Sequence, residues 1–166
     1  ERIAPTECDN FYRKQQLIGY VHDETACFFG GVQGNAGLFS NANDLAKLCQ
    51  MWLNKGTYGN ERILSPKTVE LFLKEKSSTS RRGLGFDKPD MENPEKSPTA
   101  IEASASTIGH LGFTGTCFWI DPEQELIYIF LCNRVYPSRT HDALSQLNIR
   151  PELFSTIYRS IKNHSK

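Results

Sequence analysis

Hydrophobic positions recur with a helical period in three stretches of the chain. Leu45, Leu48, Cys49 and Trp52 fall at i, i+3, i+4 and i+7, one apolar stripe on a helix over about 41–54. Ser40 offers a capping oxygen at its start, and Gly56 can end it. Ser65-Pro66 opens a second helix, with serine as cap and proline at the first helical position, and Val69, Phe72 and Leu73 form its apolar side. Arg150-Pro151 opens a third, with Leu153, Phe154, Ile157, Tyr158 and Ile161 on its predicted buried side. Upstream, 11–24 reads as a short helix followed by a loop. The run Gly30-Gly31-Val32-Gln33-Gly34-Asn35-Ala36-Gly37 predicts a turning, closely approached backbone.

Between the second and third helices the pattern changes. Gly83-Leu84-Gly85-Phe86 reads as a short strand, and the polar, proline-containing 87–107 as a long surface loop. A strand over 112–120, a turn over 121–125 and a strand over 126–132 follow. The last run is apolar at nearly every position, which asks for cover on both faces. The short connection makes the pair antiparallel. The fold class is therefore α+β, an antiparallel sheet flanked by helices, in a single domain over 1–166.

Composition narrows the function. The 166 residues carry 19 basic and 19 acidic side chains, without the basic face that nucleic acid demands. No apolar run is long enough to span a membrane, and no signal-peptide pattern opens the chain. The first ten residues start without a cap or other opening signal and read as the middle of a longer protein. The five cysteines form no C-x-x-C pair and are read as small buried hydrophobes. No pair of His or Cys has the spacing of a zinc-binding helix, so neither a metal nor another cofactor is expected.

The chemistry concentrates in His110-Leu111-Gly112-Phe113-Thr114-Gly115-Thr116. Glycines at a strand edge let a ligand come close, free backbone N–H groups there can hold an oxyanion, and a histidine beside them can titrate near neutrality. His22-Asp23 and His141-Asp142 are adjacent in the chain and are read as loop pieces, because neighbouring side chains seldom face one another. Tyr58-Gly59-Asn60 is read as a turn between helices.

This segment resembles an element of the serine β-lactamases and penicillin-binding proteins. They share S-x-x-K, a Y-x-N or S-D-N element, and K-T-G on a strand. The class C branch, with its esterase and D-aminopeptidase relatives, replaces the last by H-x-G followed by Thr-Gly, which His110-Leu111-Gly112 with Thr114-Gly115 resembles. Gly37-Leu38-Phe39-Ser40 with Asp44-Leu45-Ala46, Leu64-Ser65-Pro66 and Gly83-Leu84-Gly85-Phe86 follow the family's order. Ile3-Ala4-Pro5-Thr6-Glu7 and Gly19-Tyr20-Val21-His22-Asp23 are similar to a bacterial branch in which the hydrolase is fused behind a glycoside hydrolase.

The resemblance implies a β-lactamase/transpeptidase-like fold, here its C-terminal part, and an acyl-enzyme mechanism on esters, D-amino-acid peptides or β-lactams. It implies that the Phe113 N–H is an oxyanion donor, that His110 and Gly112 belong to the catalytic strand, and that Thr114 and Asn35 line the substrate site. It also implies a periplasmic or secreted home. No Ser-x-x-Lys occurs in the 166 residues, so the nucleophile is expected upstream of Glu1 and the chain alone is expected to be inactive. Leu111 replaces the threonine of K-T-G and His110 its permanently charged lysine, which weakens the recognition of a β-lactam carboxylate. The alternative is a non-catalytic module that binds peptidoglycan or a partner. Surface left open by a missing segment predicts a homodimer.

Overall fold

The computed structural model describes residues 3–74 and 77–164. The chain runs through β1 (Glu7–Asp9), β2 (Gln15–Leu17), α1 (Glu24–Phe28), α2 (Ala42–Leu53), β3 (Thr57–Tyr58), β4 (Glu61–Arg62) and α3 (Pro66–Lys74). It continues through β5 (Ile108–Leu111), β6 (Cys117–Asp121), β7 (Leu126–Phe130), α4 (Ala143–Gln146) and α5 (Ile149–His164). β5, β6 and β7 form an antiparallel sheet in that order, while β1–β2 and β3–β4 are small ribbons. Helices around a small antiparallel sheet make this an α+β fold.

The strand alternation sorts side chains to two covered faces. Cys117 and Trp119 of β6 and Tyr128 of β7 pack with Phe154 and Tyr158 of α5 and with Ala100 and Ala103. The Tyr128 and Phe154 rings stack at 4.5 Å between centroids. Ile108 and Ile120 face the other way, onto Cys49 of α2 and Phe86, with Trp52 and Phe72 packed alongside. The sheet thus lies between α5 and the α2–α3 pair, as the near-continuous apolar pattern of β7 requires. All five cysteines are free, and burial pushes the thiols of Cys49 and Cys117 up to about 11 and about 12.

Several sequence expectations are corrected. The 11–24 segment holds β2 between turns and reaches only the first residue of α1, rather than a helix and a loop. The carboxylate of Asp9 accepts from the backbone N–H groups of Phe11, Tyr12 and Arg13 at 2.8–3.0 Å and closes a tight hairpin. The cap of α2 is Asn41, one residue after Ser40, with its side chain accepting from the Asp44 N–H at 3.1 Å. Residues 83–86 form no strand, and only Asp87 pairs with Gly109. Tyr58 ends β3 and Gly59-Asn60 form the turn of the β3–β4 ribbon, between α2 and α3 as the sequence predicts. On α5 the buried residues are Phe154, Ser155 and Tyr158, while Leu153, Ile157 and Ile161 are exposed.

The 87–107 segment is a surface loop only in part: 91–96 are exposed, but Asp87, Lys88, Ser97, Thr99, Ala100, Ala103 and Thr107 are buried. Asp121, itself fully buried, draws it inward. Its carboxylate accepts from the Ser104 hydroxyl at 2.7 Å, from the Ser104 N–H at 3.1 Å and from the Tyr158 hydroxyl, so the loop, the end of β6 and α5 meet on one charge. Burial alone would raise the Asp121 carboxyl, but these hydrogen bonds outweigh it and hold the group below its ordinary value.

Gly109 is the tightest point of the sheet. A Cβ there would stand 2.1 Å from the Phe118 carbonyl oxygen and 2.5 Å from the Trp119 ring. Gly109→Ala should therefore cost about 3 kcal/mol, the upper end for overpacking, because a ladder carbonyl cannot move aside; a shift in urea midpoint measures this. Asp121, Asp9 and Glu7 all titrate below their ordinary values in the folded chain, Asp9 and Glu7 at about 2. Their stabilisation is complete above about pH 4.5 and is lost as pH falls through the folded values. Urea unfolding should show stability declining from pH 5 toward pH 2, with a shallower decline in Asp121→Asn.

Candidate active site

Residues 108–121 form a hairpin with a five-residue connection, not the continuous 112–120 strand that the sequence predicts. Leu111 pairs with Cys117, and the Gly112 N–H donates to the Thr116 carbonyl at 2.7 Å. A Cβ on Gly112 would stand 2.5 Å from the Thr116 hydroxyl. Gly115 takes φ +118°, and a Cβ there would stand 2.6 Å from the Cys132 sulfur. Contact calls for glycine at 112, and contact and conformation together require it at 115.

The outer edge of β5 is taken at Gly109 by the Asp87 backbone. Gly109 exchanges both backbone hydrogen bonds with Asp87, at 2.8 and 3.1 Å, so it points away from β6. Alternation then turns the Leu111 backbone the same way. The Phe113 N–H, two residues further on, donates no hydrogen bond among the described residues.

His110 stands exposed on β5. Its Nδ1 lies 2.8 Å from the Leu111 carbonyl and its Nε2 lies 3.1 Å from Nη1 of Arg82. A guanidinium only donates and a carbonyl only accepts. In this geometry Nδ1 faces an acceptor and Nε2 faces the donors of Arg82.

Phe113 is held from three sides although its side chain is 62 % exposed. Its carbonyl accepts from Nε of Arg134 at 2.9 Å. The Arg134 guanidinium lies 4.5 Å from the ring centroid, and the His22 ring stacks on it at 5.5 Å and 24°. Arg134 is fixed in turn by donating to the Arg139 and His141 carbonyls, at 3.2 and 2.6 Å, and its N–H donates to the Thr114 carbonyl at 2.8 Å.

His22 hangs on a buried acid. Its Nε2 lies 2.7 Å from Oε2 of Glu7, which also accepts from Nη2 of Arg139 at 2.7 Å. Arg139 reaches Glu24 at 2.7 Å as well. Burial works to raise the Glu7 carboxyl, but the hydrogen bonds from Arg139 and His22 prevail and lower it to about 2. An ionised carboxylate only accepts, so the His22 proton sits on Nε2.

The structure therefore gathers His110, Gly112, Phe113 and Thr114 on one hairpin. Asn35 stands apart, exposed in the turn between Gln33 and Ala36, with no hydrogen bond among the described residues. Its loop is tied toward the site through Val21, the residue before His22. Gly37 packs so closely on the Gly31 carbonyl that a Cβ would stand 2.6 Å away, with Val21 at 3.7 Å.

Neither sequence-adjacent His-Asp pair forms. Asp23 caps α1 by accepting from the Ala26 N–H at 2.7 Å, and Asp142 accepts from Gln146 at 2.7 Å. Glu7, Arg82 and Arg134 were not singled out by the sequence. Glu7 entered the sequence reading only as the end of the segment Ile3-Ala4-Pro5-Thr6-Glu7, and nothing local marks Arg82 or Arg134.

Known proteins resemble the chain over most of its length. The family described as Beta-lactamase matches residues 4–149. Proteins from Salmonella paratyphi B and Salmonella newport, each described as "Putative D-alanyl-D-alanine carboxypeptidase", are 38% identical over 144 residues. Those residues are 86% of this chain and 32% of each relative, so the chain spans about a third of their length. A crystal structure from Bacteroides dorei, described as a "putative beta-lactamase", aligns with 73% of this chain and 45% of its own, at 18% identity and a TM-score of 0.43. With its hairpin motif in place and the family match running from residue 4 to 149, the chain belongs to the β-lactamase family.

Proposed function

We propose that these residues are the β5-hairpin part of a serine hydrolase that cleaves peptides ending in a D-amino acid. The observation that carries the reading is the open backbone of Phe113, clamped at the edge of the His110–Gly112 strand within a chain that matches the β-lactamase family. The description of the Salmonella relatives as carboxypeptidases favours peptides over esters and β-lactams.

In this mechanism a serine of an S-x-x-K element, on a part of the protein outside these 166 residues, attacks the scissile carbonyl. Its hydroxyl proton passes to a neighbouring base, and the carbonyl oxygen becomes an oxyanion. The Phe113 N–H and the N–H of the serine stabilise that oxyanion. Collapse expels the terminal D-amino acid, whose amine takes up the proton, and leaves an acyl-serine. Water then releases the acyl group and restores the serine. The outer edge of β5 aligns the extended peptide by backbone hydrogen bonds. A peptide substrate of this class favours a periplasmic or secreted location for the protein.

Two measurements test this. The full-length protein should be labelled at a serine by a fluorescent penicillin or fluorophosphonate and should release D-alanine from an acyl-D-alanyl-D-alanine. Absence of both would overturn the hydrolase reading and leave a peptide-binding module. Arg134→Gln removes the cation over the Phe113 ring and the Nε donor to its carbonyl. It should lower kcat by about 10-fold or more with KM little changed, as expected for a misplaced oxyanion donor.

A further inference from the structure

We infer that His22, held by Glu7, is a positioning residue of this site, acting through the ring of Phe113 on the main-chain amide that receives the oxyanion. The inference rests on the hydrolase reading above and adds a residue to its machinery.

The Arg134 bond alone leaves that amide underdetermined. It holds the Phe113 carbonyl, which lies in the peptide plane that follows Phe113. The N–H lies in the plane that precedes it. The carbonyl of that plane, on Gly112, meets Nη1 of Arg150 only at 3.5 Å, the far limit of a hydrogen bond. The two planes turn independently about Cα. A tetrahedral Cα fixes its bond to nitrogen only when the carbonyl carbon and the side chain are both held.

The side chain is held by His22. Phe113 is 62% exposed, so burial does little to select its rotamer. The His22 ring lies against it at 5.5 Å and 24°. His22 is the rigid partner of the two: its side chain is 10% exposed and that of Glu7 is 5% exposed. Its Nε2 lies 2.7 Å from Oε2 of Glu7, and Arg139 clamps both oxygens of that carboxylate. Its main chain is fixed as well. Nη2 of Arg13 donates to the carbonyls of His22 and Asp23 at 2.9 and 3.2 Å, and Arg13 is itself paired with Asp9. The Phe113 ring therefore follows His22, not the reverse. Histidine joins the two tasks, a flat face for the ring and an N–H for the acid.

The test is a double-mutant cycle in the full-length protein, read as kcat and KM for D-alanine release from N-acetyl-D-alanyl-D-alanine. His22→Gln keeps an N–H for Glu7 and removes the ring. It should lower kcat about 3- to 10-fold, the worth of an aromatic pair, with KM little changed. Phe113→Leu should cost a similar factor, and the double variant should match Phe113→Leu within about twofold, because the two residues act as one unit. Losses that multiply, an unchanged kcat in His22→Gln, or a loss confined to KM would each overturn the inference. A second readout needs no turnover. In protein labelled with 15N-phenylalanine, the Phe113 amide signal is the one missing from Phe113→Leu. It should be single and sharp in wild type and broadened or doubled in His22→Gln, while the other phenylalanine signals stay in place and show that the variant is folded. A Phe113 signal equally sharp in both would overturn the inference. Broadening in a protein that releases no D-alanine would remove the hydrolase reading and leave the positioning by His22 standing.

Discussion

The carboxylate of Glu7 holds together segments that lie more than a hundred residues apart. Arg139, 132 positions downstream, grips both its oxygens with side chain and backbone, and His22 shares Oε2 with it. Burying an acid is costly unless its partners are complete, and here they are. Through Arg139 the pairing extends to Glu24 at the start of α1, and through His22 to the ring of Phe113. The ribbon β1–β2 has little apolar cover of its own beyond Leu17. Polar ties supply the rest: the Cys8 N–H donates to the Pro137 carbonyl at 2.9 Å, and the Asn133 amide donates to the Thr6 carbonyl at 3.1 Å.

Two kinds of force therefore divide the molecule. The sheet and its helices cohere by burial of Trp119, Ile120, Tyr128 and Phe154, which is indifferent to salt and to modest pH change. The face that carries the hairpin coheres by charge: Glu7 with Arg139, Asp87 with Arg81, and Arg134 against carbonyls and a ring. Charge pairs fix direction as well as distance, and direction is what an open main-chain amide needs. Acid weakens the second system, and in the first it reaches only the contacts of Asp121 at the end of β6.

The sequence disclosed what depends on local pattern. α2 and α3 were legible because their stripes and caps lie within a few residues of each other. The sheet's two-sided burial was legible from β7. The hairpin turn was not, because Gly112 and Gly115 are required by Thr116 and Cys132, contacts that no local period encodes. The 87–107 segment looked soluble because serine and threonine usually face water, whereas here Asp121 uses Ser104 as a donor. On α5 two apolar stripes overlap in the sequence, and the stacking surface of Tyr128 selects the one that contains Phe154. The site was legible only as far as the motif from His110 to Thr114. Glu7, Arg82 and Arg134 come to it from afar, and His22 looked like a loop residue because its partner is not its neighbour.

The grip on Phe113 separates two things that residues in a site usually combine. Its amide is oriented by a carbonyl held by Arg134 and by flanking glycines, not by burying the side chain, which stays largely in solvent. Another aromatic side chain that keeps a face for Arg134 and His22 can therefore replace it while the main chain stays where it is. A protein built this way can alter the texture of its binding surface at that position by single substitutions without relearning the chemistry beneath it.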